Sequence, residues 1–166
     1  HLRQSGQGRV ALVDVDAHHG NGAQEIFWER GDVPTSSVHV DPEAGWFPHF
    51  LGTAGERGAG EGAGWNLNLP LAPGTGDEGW LEAVGQAVAV VREAAVDALV
   101  VALGVDAALT DPNSPLEVTE AGYREAGRLL GGLGLPTVIV QEGGYDLATL
   151  GGLVRAALQG IEEGSA

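Results

Sequence analysis

The sequence predicts an α/β fold in which a parallel β-sheet is flanked by helices. Short apolar runs rich in β-branched residues alternate with longer stretches in which apolar residues recur every three or four positions. Nearly continuous apolar runs are typical of strands covered on both faces, and their alternation with helices is typical of parallel sheets built from right-handed crossovers. Since the chain has 166 residues, we expect one domain with one core.

Five apolar runs predict the strands of this sheet. The run RVALVD is almost continuously apolar, and ALVVAL and TVIV have the same character, whereas SSVHV and WNLNL are shorter candidates. Gly and Pro residues separate these runs from the helical stretches, as expected for turns. In chain order, the predicted strands are Arg9–Asp14, Ser36–Val40, Trp65–Leu69, Ala98–Leu103 and Thr137–Val140.

Three stretches carry apolar residues at the spacing of an amphipathic helix. They are Asp77–Ala95, Thr119–Leu130 and Leu147–Ile161. Thr119 and Asp146 are predicted to be the N-caps of the second and third helices, because a short polar side chain there can accept a backbone N–H.

The glycine-rich stretch Gly58–Gly64 (GAGEGAG) resembles a phosphate-binding loop only superficially. A phosphate loop opens a helix, whereas this stretch leads into a predicted strand and contains no lysine. We therefore interpret it as a flexible surface loop.

Composition excludes several classes of function. The net charge of −15 argues against a nucleic-acid partner. Cysteine is absent and every basic residue is an arginine, which excludes disulfides, thiolate nucleophiles, zinc–thiolate sites and Schiff-base lysines. The longest apolar run is far shorter than the ~20 residues of a membrane helix, and no signal peptide is evident. We therefore expect a cytoplasmic protein without a membrane partner.

Ionisable residues follow three of the predicted strands. The segment Asp14-Val15-Asp16-Ala17-His18 begins at the last residue of the first strand, Asp106 follows the fourth strand, and Gln141–Asp146 follows the fifth. Alternate residues of an extended segment face the same way, and buried carboxylates placed close together repel each other. A divalent cation removes that repulsion, and two carboxylates with an imidazole suit zinc or iron. The pattern predicts Asp16, His18 and Asp106 as metal ligands.

The simpler interpretation is that the two aspartates cap a turn and that the histidines are surface residues. For an isolated Asp-x-Asp this interpretation would be preferred, because turns use aspartate so often. The combination DVDAHHGNG behind a buried strand, with Asp106 and Tyr145 behind two others, is much more specific.

The segment Val10–Arg30 resembles the metal-binding motif of the histone deacetylase superfamily. The segments SVHVDPEAGWFPHFLG, GERGAGEGAGWNLNLP, LGVDAALTDP and QEGGYDL follow in that family's order. Within the superfamily, the chain is most similar to the acetylpolyamine amidohydrolase and class II deacetylase branch. The resemblance covers nearly the whole chain and implies an arginase/deacetylase-like fold.

The resemblance also implies a role for each matching residue. Asp16, His18 and Asp106 match the divalent-metal ligands, usually of Zn²⁺, with Fe²⁺ as an alternative. Tyr145 matches the catalytic tyrosine that polarises the acetyl carbonyl, and Asp14 matches a catalytic aspartate that orients a histidine. The implied ligands of a structural K⁺ are Asp14, Asp16, His18, Ser37 and Val38. The implied substrate-channel residues are Phe47, Gly143 and Gly144.

The activity implied is metal-dependent hydrolysis of the amide bond in acetylated polyamines or acetyl-lysine. The family's paired histidines, which act as base and acid, precede the Asp-x-Asp motif and have no match here. We therefore expect residues 1–166 to be the C-terminal portion of a single deacetylase-like catalytic domain, N-terminally truncated. Such a piece should have very low activity by itself, and its uncovered sheet edge should promote self-association into a homo-oligomer.

Two alternatives belong to other functional classes. A phosphatase of the haloacid dehalogenase type also places Asp-x-Asp after a buried strand, but it normally needs a lysine, which this chain lacks. A non-catalytic binder of acetylated ligands, or an inert remnant, would be consistent with the missing histidines. Binding of a hydroxamate without turnover would separate the binder from the remnant.

Overall fold

The computed structural model describes Gly6 and residues 8–166. Within these described residues, five strands and four α-helices follow one another, with short 3₁₀ helices at Pro42–Ala44 and Gly60–Gly62. The elements are β1 (Val10–Asp14), α1 (Asn21–Phe27), β2 (Thr35–Val40), β3 (Asn66–Leu71), α2 (Asp77–Glu93), β4 (Ala98–Leu103), α3 (Glu120–Gly131), β5 (Thr137–Gln141) and α4 (Leu150–Gly164).

The strands form one parallel sheet in the order β3-β2-β1-β4-β5, which confirms the predicted fold class. The register places Asp14, the last residue of β1, beside Ser37 of β2 and Ala102 of β4. The carboxyl ends of the three central strands therefore meet at one edge of the sheet, where parallel α/β proteins bind their ligands.

Helix packing buries the core of the molecule. Helix α2 contacts β2, β3 and α3, and α3 in turn contacts α4. Trp80 of α2 and Tyr123 of α3 are both almost fully buried and meet edge to face, with ring centroids 5.0 Å apart. Helices α3 and α4 approach each other through glycines, among them Gly127 and Gly160, whose Cα atoms lie against the backbone of the facing helix.

Several predicted helix boundaries differ from the structure, by one residue at each end of α3 and by three at the C-terminal end of α4. Helix α2 ends at Glu93 rather than at Ala95, because Ala95 has a φ of 48°, which a helix does not accommodate. Helix α4 begins at Leu150 rather than at Leu147, so the prediction of Asp146 as its N-cap is wrong. The Asp146 carboxylate instead accepts the Ala148 N–H and the Thr149 hydroxyl in a preceding turn. The predicted N-cap Thr119 is confirmed, since its hydroxyl accepts the Gly122 N–H.

Helix α1 was not predicted, because its seven residues are too few to show a helical period. The glycine-rich stretch 58–64 packs beneath the end of this helix. Gly62 is buried, and a Cβ at this position would lie 2.5 Å from the Trp28 carbonyl oxygen. The stretch is thus a surface loop, as predicted, which contains a 3₁₀ turn and is packed against the helix at Gly62.

Strand β5 lies at one end of the sheet and leaves apolar side chains exposed. Val138 is 45% exposed and Val140 is 43% exposed. An exposed edge of this kind is a template for further strand pairing. Among the helices of the described chain, none has both the length and the apolar character needed to cross a membrane.

Candidate metal centre

The structure brings Asp16, His18 and Asp106 together at the carboxyl edge of the sheet. Asp16 and His18 follow β1, and Asp106 follows β4. The His18 Nδ1 atom lies 3.1 Å from Asp16 Oδ1 and 2.9 Å from Asp106 Oδ2, and one donor atom from each residue lies within 4.8 Å of the others. Around a tetrahedral zinc ion with bonds of about 2.1 Å, neighbouring donors are roughly 3.3 Å apart. The donor set and its spacing therefore fit a divalent cation.

Backbone amides orient both carboxylates. Asp16 accepts the His18 N–H through Oδ1 at 2.8 Å and the Gly143 N–H through Oδ2 at 2.8 Å. Asp106, which is fully buried, accepts the Ala17 N–H through Oδ1 at 2.8 Å. Carboxylates held in this way keep their remaining lone pairs aimed at a fixed point, which is what a metal site requires of its surroundings.

Two glycines leave room for these carboxylates. A Cβ at Gly104 would overlap the Asp16 carboxylate, and a Cβ at Gly143 would overlap Asp106 and lie 2.6 Å from Asp16 Oδ2. Any other residue at either position would push the carboxylates out of place. The glycines are therefore part of the architecture of the site.

Most of the expected site residues line one open cavity of about 540 Å³ next to the cluster. The Phe47 ring stands edge-on to the His18 ring with centroids 6.4 Å apart, and the Tyr145 side chain is 52% exposed. Gly144 packs against Val105 and Leu150 instead. The expected residues that line the cavity are Asp14, Asp16, His18, Phe47, Gly143 and Tyr145.

A second cavity of about 10 Å³ lies between the sheet and helix α1. Asp14 and Ser37, two of the expected K⁺ ligands, line it together with His19, whose buried Nδ1 atom has no hydrogen-bond partner among the described residues. Ser37 Oγ accepts the Gly20 N–H at 3.1 Å. The cavity holds roughly one water-sized particle. Val38, the remaining expected K⁺ ligand of β2, is fully buried and lines neither cavity.

Sequence reasoning assigned no role to several residues that support the site. Gln24 Oε1 accepts from Asn66 and Asn68 at 2.9 and 2.8 Å and lies 3.1 Å from His19 Nε2. Asp111 accepts the Tyr145 N–H at 2.6 Å. Gln24 and Asp111 lie in the segments that carry the family resemblance, so the motifs pointed to these positions without indicating what each side chain contacts.

The comparison with known families matches the histone deacetylase domain over residues 1–161 of this chain. The chain belongs to the histone deacetylase family. The acetylpolyamine amidohydrolase 2 of Pseudomonas aeruginosa is 45% identical over 157 residues, which is 95% of this chain and 45% of that protein. The acetylpolyamine amidohydrolase of Burkholderia pseudomallei is 47% identical over 153 residues, which is 92% of this chain and 45% of that protein.

A solved structure agrees with this membership. The crystal structure of the acetylpolyamine aminohydrolase from Burkholderia pseudomallei matches with a TM-score of 0.93 at 44% identity, over 97% of this chain and 47% of that one. The fold is therefore that of the deacetylases, as the sequence predicts. This deacetylase-family chain spans about half the length of the relatives it matches.

Burial raises the pKa of Asp14 in this family member to about 8. Burial is the largest cause, and the nearby charges of Asp16, Glu142 and Asp106 act in the same direction. The N–H of Asp16, 3.0 Å from Asp14 Oδ1, opposes them by stabilising the carboxylate. In the metal-free chain, burial therefore favours the protonated form of Asp14 near neutral pH.

Hydrogen bonds to Asp106 and Asp16 raise the pKa of His18 to about 10 against the opposing effect of burial. Burial raises the pKa of Asp106. Burial also acts to raise the pKa of Asp16, but hydrogen bonds from His18 and Gly143 outweigh it and the pKa is lowered. Without a metal, an imidazolium proton thus supplies the positive charge between the two carboxylates.

The metal-free chain is expected to lose stability as the pH rises. The pKa of Asp14 in the folded chain is about 8, against 3.8 for the free side chain. Its contribution to the free energy of unfolding therefore decreases as the pH rises from 3.8 to about 8. The contribution of His18 is complete below pH 6.5 and is lost as the pH approaches about 10. Urea denaturation in the presence of a chelator, at about pH 5 and about pH 9, measures this trend.

Asp14→Asn is expected to reduce the slope of stability against pH, because asparagine cannot ionise. Addition of zinc should weaken or reverse the slope, since metal ligands must lose their protons to bind. A metal-free chain that becomes more stable from about pH 5 to about pH 9 would contradict the raised pKa values of both Asp14 and His18.

Proposed function

We propose that this chain provides the metal centre of a zinc-dependent hydrolase that removes acetyl groups from acetylated amines, either acetylpolyamines or acetyl-lysine. The observation that carries the proposal is the Asp16–His18–Asp106 cluster, of which Asp16 and His18 line the same open cavity as Tyr145. Two relatives carry the name acetylpolyamine amidohydrolase, which supports small acetylated amines as the substrates of this chain. The net charge of −15 is consistent with cationic substrates.

The donor set of two carboxylates and an imidazole suits Zn²⁺ and also accepts Fe²⁺. When bound, the ion supplies a Lewis acid that polarises the acetyl carbonyl and lowers the pKa of water. We place a structural K⁺ beside β1 and β2. The K⁺ ligands that we propose are Asp14, Asp16, His18, Ser37 and Val38.

Tyr145 is proposed to donate its phenolic hydrogen to the substrate carbonyl as negative charge develops there. Burial, together with the charges of Asp106 and Asp16, raises the pKa of Tyr145. The phenol therefore stays protonated at neutral pH and is available as a donor. Phe47, which stands beside His18, supplies an apolar wall for the acyl chain, and the Gly143–Gly144 pair lets the backbone approach the channel.

Proton transfer is the weak step for this chain by itself. His18 is a proposed ligand, and His39 is fully buried between Ser37 and Gly52. Burial lowers the pKa of His39 to about 4 and also lowers the pKa of His19. None of these side chains is placed to act as the general base, and such a base typically contributes ~10²–10⁴-fold.

We infer that residues 1–166 are the C-terminal portion of one deacetylase-like catalytic domain. The half-length match to the relatives supports this division. We further propose a cytoplasmic location, no nucleic-acid partner, and assembly of the chain with itself through the β5 edge.

The proposal is tested by combining zinc titration, hydroxamate binding and a deacetylation assay. We expect one Zn²⁺ per chain, binding of acetohydroxamate only in the presence of zinc, and very slow hydrolysis of an N-acetylated diamine and an acetyl-lysine peptide. Hydroxamate binding with no turnover at all would favour a non-catalytic binder. Failure to bind zinc, or release of phosphate from a phosphate ester, would contradict the proposal.

A further inference from the structure

We propose that Asp111 is a positioning residue that sets the place of the Tyr145 side chain by holding the main chain from which it projects. The proposal rests on the function proposed above, in which Tyr145 donates to the substrate carbonyl. Asp111 touches neither the proposed ligands nor the cavity beside them; its effect would be transmitted through Tyr145.

The Asp111 carboxylate is buried, with 6% of the residue exposed, and both of its oxygens are engaged by backbone amides. Oδ2 accepts the Tyr145 N–H at 2.6 Å and the Asp146 N–H at 3.2 Å. Oδ1 accepts the Asn113 N–H at 2.9 Å. Hydrogen bonds to an ionised carboxylate are roughly twice as strong as neutral ones, so this contact holds the Tyr145 backbone firmly.

Tyr145 needs such a contact because its surroundings give it little other support. Its side chain is 52% exposed, and it follows Gly143 and Gly144, the latter with a φ of 152°. Two glycines in sequence leave the backbone with few intrinsic restraints. The Gly143 N–H is bound to Asp16 and the Tyr145 N–H to Asp111, so an anchor stands at each end of the flexible pair.

The loop after β4 links this anchor to the metal centre. Asp106, a proposed ligand, is the third residue after β4, and Asp111 lies five positions later. The Asp111 N–H is bound to the Ala108 carbonyl at 2.9 Å, which closes the loop on itself. The segment 106–111 therefore carries a proposed metal ligand at its first residue and binds the Tyr145 main chain through its last. This arrangement fixes the distance between the proposed ligand Asp106 and the Tyr145 main chain.

The test uses Asp111→Asn, Tyr145→Phe and the double variant in the full chain. An asparagine offers one acceptor oxygen in place of two, so it cannot serve Asn113 together with the amides of Tyr145 and Asp146. Ser114→Ala is the matched control. It removes the hydroxyl that accepts the Leu116 N–H in the same loop, and this hydrogen bond does not involve Tyr145.

Acetohydroxamate affinity of the zinc-loaded chain is the first measurement. We expect Tyr145→Phe and Asp111→Asn each to weaken binding by about 3- to 10-fold, the effect of one lost hydrogen bond. In the Tyr145→Phe background, Asp111→Asn should add less than about 2-fold, because Asp111 acts through the hydroxyl that is already absent. Ser114→Ala should leave the affinity unchanged.

Amide hydrogen exchange in the metal-free chain is the second measurement. Exchange at Tyr145 and Asp146 should accelerate about 10-fold in Asp111→Asn and should not change in Ser114→Ala. Unchanged exchange at Tyr145, or additive effects of the two substitutions on affinity, would overturn the role of Asp111 while leaving the proposed function intact. Unchanged affinity in Tyr145→Phe would refute the role of the tyrosine and this inference with it.

Discussion

Replacement of Asp106 by asparagine is expected to lower the affinity of the chain for Zn²⁺ by about 100-fold or more. Loss of an outer partner of a metal ligand already costs 10–100-fold, so loss of a charged ligand should cost at least the upper end of that range. Asp106 is fully buried and lies 2.9 Å from His18 Nδ1, so no surface side chain can take its place. Titration against a chromogenic chelator measures the affinity.

The metal-free Asp106→Asn chain should remain folded, because the amide oxygen can still accept the Ala17 N–H and Asp16 still pairs with His18. The matched control is Asp146→Asn, which removes a carboxylate that lies outside the cluster and accepts the Ala148 N–H and the Thr149 hydroxyl. Equal zinc affinity in the Asp106→Asn and unmodified chains would show that the cluster is not the metal site.

Gly160→Ala is expected to destabilise the folded chain by about 2–3 kcal/mol, the upper range for overpacking a core. Helices α3 and α4 touch backbone to backbone at this point, and the new Cβ would overlap the Arg124 carbonyl oxygen. A carbonyl of a packed helix cannot turn aside as a flexible side chain can, so the helices must separate. The lower urea midpoint, at unchanged slope, measures the loss.

Gly85→Ala in α2 provides the control, because a Cβ at Gly85 meets nothing within 4 Å. The same substitution there should stabilise the chain by about 0.5–1 kcal/mol through helix propensity alone. Effects of the same sign and size at both positions would show that the close approach of α3 and α4 does not exist in solution.

The sequence predicted the strands well because each depends on a local pattern. Strand β4 has the predicted bounds, and β1 and β5 differ from the prediction by one residue. Apolar runs of this kind are buried on both faces in any parallel sheet, so their positions do not depend on which strands become neighbours. The short helix α1 and the early end of α2 were missed because seven residues carry no period and the positive φ of Ala95 has no marker in its side chain.

The candidate ligands were also accessible from the sequence. Asp16, His18 and Asp106 are ionisable residues placed just after buried strands, and parallel strands bring their carboxyl ends to one edge. The resemblance to the deacetylases added expectations for Tyr145 and Phe47, both of which lie at the cavity beside those ligands.

The sequence by itself determined the class of fold, the chemical nature of the donor groups and the family. Only the three-dimensional structure shows that Asp111 holds the Tyr145 backbone and that Gly143 makes room for two carboxylates. The physical reason is distance along the chain. Strand patterns and caps arise between near neighbours, whereas these contacts join residues up to 127 positions apart and depend on clearances of a few tenths of an ångström that no local pattern encodes.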